Sequence, residues 1–231
     1  MKMTNSSTSP AFSLLELCLV IAFLGLLGLF VLPLCARRQI RSSRVNCVNN
    51  LKQIGLAFRT WALDNQDKYP MQVSVTNGGT MELVNSGPAF VHYLVMSNEL
   101  STPKILICPE EPDPSRINAT TFGQLASLPQ GQIPFTNDNH LSYFVGVDAN
   151  ETLPGAFLSG DRNLAIDRSP LRRGMQRIWT NSAITWFAPR PRHSGGGNIG
   201  LADGSVQSLS DKAFPILLSQ TGMATNRLVM P

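Results

Sequence analysis

Charge is sparse in this 231-residue chain: 15% of its residues are Asp, Glu, Lys or Arg, and bases exceed acids by only +4. A surplus that small implies no dedicated nucleic-acid or polyphosphate binder. Cysteine is scarce as well, and four of them cannot staple a fold of this size in place of a core. Three histidines without metal-ligand spacing argue against a zinc site. There is no G-x-S-x-G elbow, so nothing indicates a hydrolase of that kind, and no internal repeat is evident. Against these absences stands a hydrophobic content of 43%, enough to bury a core and to exclude a disordered tail.

The apolar residues are unevenly placed. From Leu17 to Ala36, twenty consecutive positions carry no charge. At about 1.5 Å per residue they make roughly 30 Å of helix, the thickness of a bilayer's hydrocarbon. Length therefore suggests a membrane-spanning helix rather than a secretory signal, whose apolar region runs about 7 to 15 residues. A lipoprotein signal ending at Cys35 is disfavoured because Leu34 is bulky where such signals place a small residue. Arg37, Arg38, Arg41 and Arg44 follow the run, and the positive-inside rule would keep that collar cytoplasmic. Glu16 stands at the head of the run. An ionised carboxylate at the centre of a membrane helix costs roughly 2.5–3.5 kcal/mol, less near an interface, so it calls for a cation. Lys2 is the only charged side chain before it. A cut between Ala11 and Phe12 would expose an amine one helical turn, about 6 Å, from that carboxylate.

The segment Ala11-Phe12-Ser13-Leu14-Leu15-Glu16 resembles the processing site of type IV pilins and type II secretion pseudopilins. The resemblance implies that a prepilin peptidase cuts after Ala11, which stands where the family usually has glycine, and that Phe12 becomes an N-methylated first residue. It also implies that Glu16 pairs with the N-terminal amine of a neighbouring subunit during assembly. Gly25 and Pro33 fall where many members have residues bracketing a stretch that loses helix in the filament; packing and kinking are their ordinary roles. The family topology places the arginine collar outside the cytoplasm, against the positive-inside rule. Further strings resemble a bacterial group of G-type pseudopilin-like proteins. They are Asn49-Asn50-Leu51-Lys52-Gln53-Ile54, Ile107-Cys108-Pro109, Ser159-Gly160-Asp161-Arg162-Asn163-Leu164 and His193-Ser194-Gly195-Gly196-Gly197-Asn198, the last followed by Ala202-Asp203-Gly204-Ser205-Val206. The role of His193, Asp203 and Gly204 in that signature does not follow from the sequence.

The fold expectation is an α+β, pilin-like chain. It comprises a leader at 1–11, a transmembrane and assembly helix at 12–36, an amphipathic continuation at 37–66 and a periplasmic head at 67–231. Cys47, Leu51, Ile54, Phe58 and Trp61 recur at helical spacing and mark the face that the head covers. Polar residues and proline at 64–70 stop the helix. In the head, 142–147 and 178–188 read as strands, 89–97 and 212–219 as short helices, and 109–139 as an irregular excursion. Asp203-Gly204 suits the turn of a hairpin over 198–209 within an antiparallel sheet. Cys18 and Cys35 fall in the apolar run. Cys47 and Cys108 are candidates for a disulfide closing 60 residues, worth about 2–4 kcal/mol, with separate buried thiols as the alternative.

The resemblance implies a structural subunit of a type II secretion pseudopilus or a type IV pilus-like filament, not an enzyme. Its partners would be prepilin peptidase, other pilin or pseudopilin subunits and an inner-membrane assembly platform. Its place would be the bacterial inner membrane, single-pass with the head in the periplasm, and a filament after assembly. Asp161, His193, Ser194 and Asp203 could be imagined as a catalytic set, but a serine beside histidine tends to point elsewhere and glycine triplets make turns. No cofactor is implied. Calcium is the one ion in play, because some G-type pseudopilins hold it and Asp148, Asn150, Glu151 and Asp203 offer hard oxygens. An alternative is a DNA-binding minor pilin, since 161–192 holds seven arginines for a net +5. Trp179, Trp186 and Phe187 would then be stacking faces, whereas core packing and a subunit interface are the ordinary reading. A non-polymerising membrane-anchored periplasmic domain is the remaining alternative.

Overall fold

The computed structural model describes residues 13–123, 129–187, 193 and 195–231, without the side chains of residues 28 and 30–42. The chain divides into two units, Met1–Ser42 and Ser43–Pro231, and helix α1 (Leu14–Leu63) contributes to both.

In the first unit Ser13 opens the helix, its Oγ accepting the Glu16 N–H at 3.2 Å. Ser13-x-x-Glu16 is the sequence of a capping box, which satisfies N–H groups that the first turn leaves without carbonyl partners. The backbone is helical through Gly25 and Pro33. Every described side chain from Ser13 to Leu29 is exposed.

One expectation is overturned here. Among the described residues no helix is long and apolar enough to cross a membrane. The pilin-like fold with a membrane-spanning first half is therefore corrected, and with it the transmembrane segment and the single-pass inner-membrane location with a periplasmic head. The architecture described is α+β, with a six-stranded antiparallel sheet and, apart from α1, short helices.

The second unit begins at Ser43, earlier than the expected head, because the last turns of α1 are part of its core. Cys47, Leu51, Ile54, Phe58 and Trp61 are all buried. Phe58 packs edge-on against Tyr69 and Tyr93, with ring centroids 5.7 and 5.9 Å apart. Short helices α2 (Phe90–Leu94) and α3 (Ser97–Leu100) follow. Among the described residues nine strands come next: β1 (Tyr143–Gly146), β2 (Phe157–Asp161), β3 (Leu164–Ile166), β4 (Ser169–Pro170), β5 (Gly174–Trp179), β6 (Ile184–Trp186), β7 (Gly196–Leu201), β8 (Val206–Ser210) and β9 (Thr225–Met230), with α4 (Phe214–Gln220) between the last two. The main sheet has the order β5-β9-β1-β2-β7-β8 and a small one the order β4-β3-β6. The expected strand over 178–188 is two strands of different sheets, because a turn at 180–182 separates β5 from β6.

Strand alternation explains how the main sheet is covered on both faces. Tyr143 and Val145 of β1, Leu158 of β2 and Val229 of β9 join the core that holds α1. Their neighbours Phe144, Phe157, Leu228 and Met230 join a second core with Trp186 of β6 and Phe214 of α4. Strands β7 and β8 form a hairpin from Gly196↔Ser210 to Gly200↔Val206. Its turn carries a Gly204 N–H to Leu201 carbonyl bond of 3.0 Å, and Gly204 sits at φ 84°. Only the glycine is left-handed among the turn residues, as in a type I turn closed by a glycine bulge rather than a two-residue type I′ turn.

Candidate functional site

Two features of the chain stand out chemically. The first is the N-terminal helix surface. Leu14, Leu15, Leu17, Leu19, Val20, Ile21, Phe23, Leu24, Leu26, Leu27 and Leu29 are each between 43% and 81% exposed. A helix apolar around its whole circumference is a buried helix in a finished structure, so this surface requires a cover. Glu16 is its only described acid and is itself exposed. Ala11 and Phe12, the expected cleavage and methylation residues, lie outside the described residues.

The second is a buried polar cluster in the head. His193 sits at φ 50° and is 2% exposed, beside Asp161 at 0%. Its Nε2 lies 3.2 Å from Asp161 Oδ2 and 3.5 Å from Cys108 Sγ. Its Nδ1 lies 3.0 Å from Glu110 Oε2, out of line for a hydrogen bond, while the His193 backbone N–H donates to that same oxygen at 2.8 Å. Asp161 Oδ2 accepts the Asn198 backbone N–H at 2.7 Å and its Nδ2–H at 3.0 Å. Ser208 Oγ donates to Asn198 Oδ1 at 2.6 Å. Cys108 is joined to Cys47 of α1 by a disulfide, whereas Cys18 is free and exposed. A fully buried carboxylate is costly unless donors surround it, and here two Asn198 donors and an imidazole do so.

The glycine triplet fits this setting. Gly195 has φ 87°. A Cβ at Gly196 would strike the Leu209 carbonyl, and one at Gly197 the Trp186 ring. At the far end of the hairpin the turn seats on α1: a Cβ on Gly55 would lie 3.7 Å from Gly204 Cα. Arg59 Nη1 donates to the Asp203 carbonyl at 3.3 Å, and Tyr69 Oη donates to the Ala202 carbonyl at 3.0 Å. Burial is the leading cause raising Tyr69 to about 12, so this phenol stays protonated.

Three strings picked out separately in the sequence, around Cys108, Asp161 and His193, thus meet in one cluster, while Asp203 does not join it. The imagined catalytic set is not assembled: Asp203 accepts the Ser205 N–H within its own turn at 2.8 Å, and Ser194 lies outside the described residues. The calcium candidates each have other partners. Asp148 binds Arg227 through bonds of 2.6 and 2.8 Å, Asn150 caps Thr152, and Glu151 faces Arg59 at 3.7 Å. Of the proposed stacking residues, Trp179 is 56% exposed and Trp186 only 6%. Arg190 and Arg192 lie outside the described residues. Glu110 and Asn198 were not singled out as ligands of the cluster by sequence reasoning, since no local spacing links either to His193. Glu110 follows directly on the Ile107-Cys108-Pro109 string, and Asn198 closes the string that begins at His193.

Comparison of the chain with protein-family models, with curated proteins and with solved structures finds no match in any of the three. The functional reading therefore rests on the residues themselves.

Proposed function

We propose that this chain is a structural subunit, not an enzyme, that builds a filament of the type IV pilus or type II secretion pseudopilus kind. A prepilin peptidase cuts it after Ala11, and it assembles with other subunits through its N-terminal helix. The observation that carries this reading is the bare apolar surface of Leu14–Leu29, on which each large side chain gains on the order of 1.5–3 kcal/mol when covered. Packed neighbouring helices supply that cover. Glu16 sets the register, because an unpaired charge among packed apolar helices is penalised and one matched to a neighbour's Phe12 amine is not.

The capping box gives Glu16 a rival role within its own helix, and charge separates the two. Glutamine serves at that position of the box as well as glutamate does, but it cannot pair with an amine. Filament yield is to be counted by negative-stain electron microscopy of wild type, Glu16→Ala and Glu16→Gln. Both variants are expected to fall by at least about tenfold, the equivalent of 1.4 kcal/mol per contact. Wild-type yield from Glu16→Gln would reduce Glu16 to a cap, and wild-type yield from Glu16→Ala would remove it from assembly altogether.

A further inference from the structure

The disulfide of Cys47 and Cys108 lies in unusual company, and this inference is independent of the filament reading. Donor atoms of Cys47, Cys108 and His193 all fall within 4.8 Å of one another, and Asp161 Oδ2 is 3.2 Å from the same imidazole nitrogen. All four residues are at most 2% exposed. A tetrahedral zinc ion with bonds of about 2.3 Å to sulfur and about 2.0 Å to nitrogen and oxygen fixes the distances between its ligands. They come to about 3.5 Å from sulfur to nitrogen and about 3.3 Å from nitrogen to oxygen. The corresponding distances here are 3.5 Å from Cys108 Sγ to His193 Nε2 and 3.2 Å from His193 Nε2 to Asp161 Oδ2.

The surrounding groups fit the same purpose. Metal-bound imidazoles carry a carboxylate on their other nitrogen, and ligating carboxylates are held by donors of their own. Glu110 Oε2 accepts the His193 backbone N–H at 2.8 Å and stands 3.0 Å from Nδ1, so a small turn of the ring brings the two into line. Asn198 holds Asp161, and Ser208 holds Asn198. Cys108 also borders a surface depression of about 510 Å³ together with Asn46, Asn50, Ile107 and Pro109. No ligand spacing marks the set in the sequence, because the residues come from α1, the loop after α3, β2 and the segment before β7.

We propose that the reduced chain binds one zinc ion through Cys47, Cys108, His193 and Asp161, and that this site and the disulfide are alternative ways of tying α1 to the loop after α3. A dithiol reductant supplies two electrons and two protons to the S–S bond, leaving as its own disulfide and giving two thiols. Zinc then displaces the two thiol protons to solvent and is held by two thiolates, a neutral imidazole and a carboxylate. Thiolate and imidazole select zinc over calcium or magnesium, which take oxygen ligands.

The test is a titration of the full chain with cobalt(II) as a spectroscopic stand-in, oxidised in one arm and in the other reduced anaerobically with a phosphine. The reduced chain is expected to take up one cobalt per molecule, with a thiolate-to-cobalt charge-transfer band and tetrahedral d–d bands that zinc(II) abolishes. The oxidised chain is expected to show neither. His193→Ala and Asp161→Asn, checked for folding in their oxidised forms, should each weaken binding at least tenfold, and Glu110→Gln by about tenfold. A reduced wild-type chain without the charge-transfer band overturns the proposal even if no variant folds. Cobalt binding by reduced His193→Ala equal to wild type also overturns it, because the thiols alone would then be responsible.

Discussion

His92 shows how a single buried side chain makes the head sensitive to acid. It is fully buried, and Nδ1 bonds Thr80 Oγ1 at 2.7 Å while Nε2 has no partner. Burial, which disfavours the charged ring, pulls its pKa from 6.5 down to about 4. The unfolded chain therefore binds more protons than the folded one between those values. His92's contribution is intact above about pH 6.5, declines as pH falls towards 4, and stops changing below that. The full loss comes to about 3 kcal/mol. Urea melts between pH 7 and pH 4 should show that decline in wild type and a shallower one in His92→Gln. Equal slopes would mean that another group carries the acid sensitivity. Arg116 is the opposite case, a buried cation held by backbone. Its guanidinium donates to the carbonyls of Asp138, Leu141 and Pro231, and burial lowers it only to about 10, so it stays charged at neutral pH. Neither residue was legible in the sequence, because their partners lie in irregular segments that have no period to read.

At the scale of elements, what could be read was what depends on neighbours in sequence. The β7–β8 hairpin follows from the short apolar stretches that flank Asp203-Gly204, and the buried stripe of α1 from recurrence at three and four. The apolar run after Glu16 announced a helix that needs cover, but composition cannot say whether lipid or protein provides it, and the bilayer answer is the one overturned. The meeting of β2, β7 and the loop after α3 around His193 depends on sheet order, which no local pattern encodes. The glycine triplet tests how tightly that junction is built. Gly197→Ala pushes a methyl into the Trp186 ring and should cost about 1–3 kcal/mol as an overpacked core, with a changed near-UV circular dichroism signal. Gly195→Ala meets no neighbour and suffers only its left-handed backbone, about 1–2 kcal/mol, with the aromatic signal preserved. Matching spectral changes in the two variants would show that the ring does not rest on Gly197.

On the scale of the whole molecule, the link between Cys47 and Cys108 decides how firmly α1 is held to the loop after α3 in the unit 43–231. The two residues are 61 positions apart, and cross-linking a loop of that size removes enough freedom from the unfolded chain to stabilise the fold by about 2–4 kcal/mol. Reduction alone should therefore lower the urea midpoint. Zinc bound only by the folded reduced chain restores stability in proportion to the logarithm of its concentration, about 2.7 kcal/mol at a hundredfold excess over its dissociation constant. Unfolding of oxidised, reduced and reduced zinc-loaded chain should thus give a high, a low and a recovered midpoint. Cys47→Ser should start low and fail to recover, because it lacks one ligand of each link. If reduction leaves the midpoint unchanged, the core packing of Cys47, Leu51 and Phe58 holds the helix without any link. If zinc fails to raise the midpoint of the reduced chain, the cluster around His193 serves the disulfide form alone.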